Sequence, residues 1–186
     1  AIPPALPREL VAWWEGKRTH LLHLLETRKW RKQTHRLNIA TSYAHTPRIS
    51  AEGKHYRDRK VLEPQQSECT TKGEVWEFVQ TMLPPWFKPG EDGSWFCVTV
   101  NKNTTCKPHK DRDNLGDVGI MFLGDFQGGA LLTETGQRYE EKGCWHRYAG
   151  STITHWNEPI TSGTKFSVII HNNRKRPIVF PIRYGP

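Results

Sequence analysis

The chain has 186 residues, 35% of them hydrophobic and 11% aromatic, with 27 Lys and Arg against 19 Asp and Glu and a formal net charge of +8 at pH 7. A chain of this length buries roughly 70% of its unfolded surface, so it needs no disulfide framework, and its apolar content excludes a disordered protein. Cys69, Cys97, Cys106 and Cys144 show no C-x-x-C spacing, which argues against a structural zinc site or a secreted scaffold and for reduced thiols in a nuclear or other intracellular compartment.

No apolar run approaches about 18 residues, so no membrane span is expected. The start, Ala1-Ile2-Pro3-Pro4, carries no signal-peptide pattern and reads as an excised domain or a processed product. The basic balance suits a polyanionic partner, because each Lys or Arg placed on a phosphate releases a counterion. Nucleic acid, DNA before RNA, is the partner expected, and a monomer the expected state.

Taken in order, Pro7 followed by Arg8-Glu9-Leu10 marks a helix start, with Pro in the first turn. Leu10, Trp14, Leu21, Leu22 and Leu25 recur near helical period, with Gly16 a candidate break. Residues 28–36 continue as a basic run around Trp30, readable as a solvated face or as a phosphate-contacting arm. Residues 40–70, with Pro47, Gly53 and Pro64, read as a long loop around the core. The apolar pattern of residues 74–83 predicts a short amphipathic helix stopped by Pro84-Pro85.

From Ser94 the signals become strand-like. Strands are expected at residues 95–101, 118–123, 129–133, 151–154 and 166–171, with 178–182 a final edge strand because Pro181 cannot donate in a central one. Glycine pairs and turn residues separate them, which predicts an α+β, mainly β chain: a jelly-roll core with N-terminal helices. Residues 1–93 are read as a helical and loop support with a basic arm, and 94–186 as the β core, in one structural domain overall.

The chemistry centres on Lys107-Pro108-His109-Lys110-Asp111-Arg112-Asp113-Asn114. His109 and Asp111 stand two apart, which on a strand puts both side chains on one face, and His155 supplies a second imidazole far downstream. Two neutral imidazoles and a carboxylate can cap one face of a ferrous ion and leave the other positions open, whereas structural zinc takes four closed ligands. Lys165, in Gly163-Thr164-Lys165-Phe166-Ser167, is a candidate buried cation, and a buried cation needs an anion.

With Gly128-Gly129 after a strand and Gly150 ahead of His155, residues 94–175 resemble the 2-oxoglutarate and iron(II)-dependent dioxygenases. The resemblance implies a double-stranded β-helix fold, iron(II) on His109, Asp111 and His155, and 2-oxoglutarate and O2 as cosubstrates. It also implies that Lys165 and Ser167 hold the distal carboxylate of 2-oxoglutarate. His109-x-Asp111-x-x-Asn114 looks like the signature of the TET/JBP branch, which hydroxylates methylated pyrimidines in nucleic acid. By that resemblance Asn114 would hydrogen-bond the flipped base, with Asn173, or its neighbour His171, facing the same base.

Two departures stand out. The TET/JBP branch usually carries Arg where this chain has Lys165, which is more typical of prolyl hydroxylases, so another small acid is a possible cosubstrate. The chain is also short and has no cysteine-rich module. Three readings follow: an iron and 2-oxoglutarate dioxygenase acting on the methyl of 5-methylcytosine or thymine in nucleic acid, a prolyl-type protein hydroxylase, or a basic nucleic-acid-binding domain that has lost catalysis. The three intact ligands count against the last.

Overall fold

The computed structural model describes residues 8–30, 35–38 and 66–175. Helix α1 spans Arg8–Thr27 and runs through Gly16 without a break; α2 spans Gln66–Met82. The expected boundary of the second helix was short. It begins inside the stretch read as loop, because Thr71 and Lys72 are buried although no apolar stripe announces them. The rest of that loop, and the edge strand expected at 178–182, lie outside the described residues.

Among the described residues, ten strands follow the mainly β expectation, and every pairing between them is antiparallel. Strands β1 (Arg36–Asn38), β2 (Trp95–Lys102), β3 (Asn114–Leu123), β7 (His146–Tyr148) and β10 (Phe166–Asn173) form a sheet in the order β1-β2-β10-β3-β7. Strands β4 (Phe126–Gly128) and β9 (Ile160–Gly163) pair with each other, and β5 (Leu131–Thr133) lies between β6 (Arg138–Tyr139) and β8 (His155–Asn157).

The alternation of side chains along a strand sorts the large sheet into two faces. Val98, Val100, Phe166, Val168 and Ile170 are buried with Leu21, Leu25, Val75, Phe78 and Val79, so one face is covered by the two helices. Val118, Ile120 and Phe122 on the other face pack with Phe126, Leu131 and Tyr148 from the smaller sheets. The second face also carries every even step from Lys165. Ser167 pairs Asn101, Ile169 pairs Thr99, and Asn173 pairs both Trp95 and Asn114. The register of β10 against β3 shifts between Ile170 and Asn172, next to His171.

Two local expectations fail. Residues 151–154 form a turn, not a strand, with the Thr152 and Ile153 N–H groups both donating to the Ala149 carbonyl at 3.1 and 2.9 Å. His155, just past that expected strand, instead opens β8. His109 and Asp111 are likewise not on a strand: they lie in the segment between β2 and β3, where His109 makes an isolated antiparallel bridge with His155.

Candidate metal centre

That bridge places the two imidazoles. His109 and His155 exchange backbone hydrogen bonds of 3.1 and 3.0 Å, and their ring centroids are 4.4 Å apart. Asp111 is fixed by its own backbone, whose N–H donates to the Gly150 carbonyl at 2.8 Å. Gly150 allows this approach. A Cβ there would lie 3.1 Å from Val118, 3.2 Å from Tyr148 and 3.6 Å from the Asp111 carboxylate. The turn at 149–153 thus presents a carbonyl to Asp111 at the cost of the strand that its β-branched residues suggest.

One donor atom from each of His109, Asp111 and His155 lies within 4.8 Å of the others. His109 Nδ1 lies 2.7 Å from the Lys107 carbonyl and His155 Nδ1 lies 2.9 Å from the Ile153 carbonyl. Each Nδ1 must then carry the proton, which leaves both Nε2 atoms to face Asp111, at 3.4 Å for His109 and 3.1 Å for His155. Without a metal the His155 hydrogen bond to Asp111 needs a second proton on Nε2, and loss of that proton leaves the Nδ1–H tautomer that a metal ion requires. His155 is buried and Tyr148 stands edge-on to its ring at 4.9 Å, whereas His109 and Asp111 reach solvent on one side.

Without an ion the three groups lean on one another. Burial pushes the Asp111 carboxyl up, but the His155 hydrogen bond and the charges of His109, His155 and His171 outweigh it and hold it below the usual range. Burial pulls the His155 imidazole down, yet Asp111 and the Ile153 carbonyl turn the net shift upward. A carboxylate kept ionised between two inward-facing imidazole nitrogens fits a divalent cation.

Lys165 is 1% exposed. Its ammonium donates to the Gly129 carbonyl at 2.5 Å and lies 4.5 Å from the centre of the Phe122 ring and 5.9 Å from that of Phe126. Among the described residues no carboxylate pairs with it. Burial pulls it down to about 8, opposed by Cys106. Gly129 makes the cradle: its φ is +72°, and a Cβ there would sit 3.2 Å from Lys165 Cδ and 3.4 Å from Nζ. Ser167, also buried, follows on the same side of β10. Burial pushes the Cys106 thiol up, with Asp111 adding to that shift and Arg36 and Lys165 opposing it.

A cavity of about 510 Å³ opens beside Asp111, and Asn114, His171 and Asn173 all line it. His171 Nδ1 lies 3.2 Å from Asn114 Oδ1. Burial, reinforced by Arg36 and opposed by Asp111, pushes His171 down to about 4, so the ring is neutral near pH 7. Of the residues singled out in the sequence, Asp111, Asn114, His171 and Asn173 thus share one cavity. Thr99 and Tyr148 line the same cavity without any sequence signal, and Arg36, the last residue of the basic run read as a solvated face or a phosphate-contacting arm, lines it too. Arg36 arrives through the pairing of β1 with Asn101, to whose Oδ1 its Nε donates at 3.0 Å, and only sheet register reveals that.

No family model and no curated protein matches the sequence. Solved structures do. NgTET1 in complex with 5mC DNA is similar over 92% of this chain and 70% of its own, at 16% identity and a TM-score of 0.50. The likeness is one of fold. A 2OG-Fe(II) oxygenase family oxidoreductase from Burkholderia pseudomallei is similar over 89% of this chain and 81% of its own, at 10% identity and a TM-score of 0.44. A Pseudomonas putida prolyl-4-hydroxylase is similar over 91% and 89%, at 14% identity and a TM-score of 0.44.

Proposed function

We propose that this chain is an iron(II)- and 2-oxoglutarate-dependent dioxygenase with a double-stranded β-helix core, which hydroxylates the methyl group of a methylated pyrimidine in nucleic acid, DNA first. The observation that carries the reaction type is the His109, Asp111 and His155 donor set, together with a buried Lys165 that pairs with no carboxylate among the described residues. One site fits a metal with open positions and the other fits the far end of a small dicarboxylate.

His109, Asp111 and His155 would hold the ion, and Lys165 with Ser167 would hold the distal carboxylate of 2-oxoglutarate. When bound, iron(II) supplies the oxidative chemistry in which R–CH3, 2-oxoglutarate and O2 become R–CH2OH, succinate and CO2. The residues of the chain bind and orient. Phe122 and Phe126 keep water from the Lys165 ammonium, and Val118, Tyr148 and Ile169 wall the cavity beside Asp111. With His171 Nδ1–H donating to Asn114 Oδ1, the Asn114 amide N–H groups and the unprotonated His171 Nε2 are left to meet a base. One donor and one acceptor in a polar recess suit the edge of a flipped pyrimidine. NgTET1 in complex with 5mC DNA supports the choice of substrate by analogy of fold alone.

The second reading, a prolyl-type hydroxylase, rests on Lys165 standing where the TET/JBP branch usually has Arg. The two part on one assay. The protein is incubated with iron(II), 2-oxoglutarate and methylated DNA, beside a panel of proline-containing peptides, and the products are read by nucleoside and peptide mass spectrometry. Hydroxymethyl nucleosides are expected. Hydroxylated peptide with unaltered DNA defeats the nucleic-acid reading.

A further inference from the structure

The cavity beside Asp111 has a neutral floor and a basic rim. Asn114, Thr99 and His171 furnish the floor, while Arg36, Lys110 and Arg112 line the mouth, all three exposed. A fourth exposed cation, Arg174, adjoins it, anchored by its backbone N–H to the Asp113 carbonyl at 2.7 Å. The one rim carboxylate outside the metal set, Asp113, is taken up by Lys175 at 3.0 Å. Among the described residues none of Arg36, Lys110, Arg112 and Arg174 pairs with a carboxylate. These cations come from three separate segments: β1, the loop between β2 and β3, and the end of β10.

A recess with a neutral floor and cations confined to its lip calls for a ligand whose inserted part is uncharged and whose flanking parts are anionic. A nucleotide within a strand has that form, with a base to insert and phosphates on either side. An acidic peptide does not, because its charges sit on the side chains that would have to enter. On the strength of the substrate reading above, we infer that Arg36, Lys110, Arg112 and Arg174 form a phosphate seat that holds the strand on both sides of the inserted nucleotide.

The test is a salt titration. Binding of the iron-loaded wild type to a fluorescent duplex containing 5-methylcytosine, and to the same sequence as a single strand, is followed by anisotropy across a range of salt concentrations, with an acidic peptide as competitor. Each phosphate contact contributes about 0.9 to the slope of log K against log salt on duplex and about 0.7 on a single strand. The K110Q/R112Q variant should therefore lose about 1.8 of slope on duplex, and R174Q about 0.9. Bound iron, measured on the same samples, should be unchanged, which separates loss of the seat from damage to His109 and Asp111. Unchanged slopes in both variants with intact iron overturn the seat while leaving the substrate reading in place. A wild type that binds the acidic peptide and neither form of nucleic acid overturns both.

Discussion

Lys165 is a buried cation that costs the ligand-free fold stability. Holding an ammonium with a pKa of about 8 in place of the ordinary 10.5 costs the metal-free, ligand-free fold on the order of 3 kcal/mol at neutral pH. The carbonyl of Gly129 and two aromatic faces offset part of what desolvation takes. Lys165→Met nearly conserves volume and removes the charge, and strands one carbonyl at about 1 kcal/mol. The variant should therefore be more stable than wild type by about 1–2 kcal/mol in denaturant unfolding without cosubstrate, and should not bind 2-oxoglutarate at concentrations that saturate wild type. A destabilised variant would mean that the lysine serves the fold and not a ligand. The pH dependence has a definite sign. The folded pKa lies below the unfolded one, so between about 8 and 10.5 the unfolded chain holds the extra proton and the ligand-free protein gains stability as pH rises. A bound carboxylate favours the charged ammonium, so 2-oxoglutarate affinity, measured by calorimetry, should hold below pH 8 and fall above it. Lys165→Arg, if it binds at all, should show no such fall.

At the scale of elements, the large sheet separates what holds the fold from what does the chemistry. The helices cover one face, and Phe78, Leu21 and Leu25 are buried there. Phe78→Ala should cost about 3–5 kcal/mol. The link from Lys17 to Glu74 and Glu77, at 2.8 and 3.1 Å, is partly exposed, so Lys17→Ala should cost under about 1 kcal/mol. Neither change touches the opposite face, so iron stoichiometry in the folded fraction should match wild type in both. Comparable losses from the two substitutions, read by thermal or denaturant unfolding, would contradict this division. The same layering explains what could be read from the sequence. The strands at 95–101, 118–123 and 166–171 were legible because β-branched and aromatic residues run together where both faces are buried. The stretch at 151–154 has similar residues but turns, because the Gly150 carbonyl is needed at Asp111, and local propensity yields to that contact. The early start of α2 was hidden because Thr71 and Lys72 are buried without being apolar.

At the scale of the molecule, the candidate site is made of parts far apart in the chain. His109 and Asp111 were legible because two spacings suffice to suggest them, and Lys165 because its context resembles a known pattern. Thr99 and Tyr148 were not, and Arg36 was legible only as part of a basic run, since pairing between distant strands, not spacing along one, brings them to the cavity. The net charge of +8 pointed to a polyanion without saying where it lies, and the cations at the mouth of the cavity give that charge a place. The central claim is that His109, Asp111 and His155 together hold the ion that turns over 2-oxoglutarate. It is tested most directly by measuring succinate formed per mole of protein, with iron(II), 2-oxoglutarate and O2 supplied, in wild type and Asp111→Ala, beside the iron bound by each. Wild type should give iron-dependent succinate, and Asp111→Ala neither tightly bound iron nor succinate above the protein-free control. Succinate output from Asp111→Ala equal to that of wild type would contradict it.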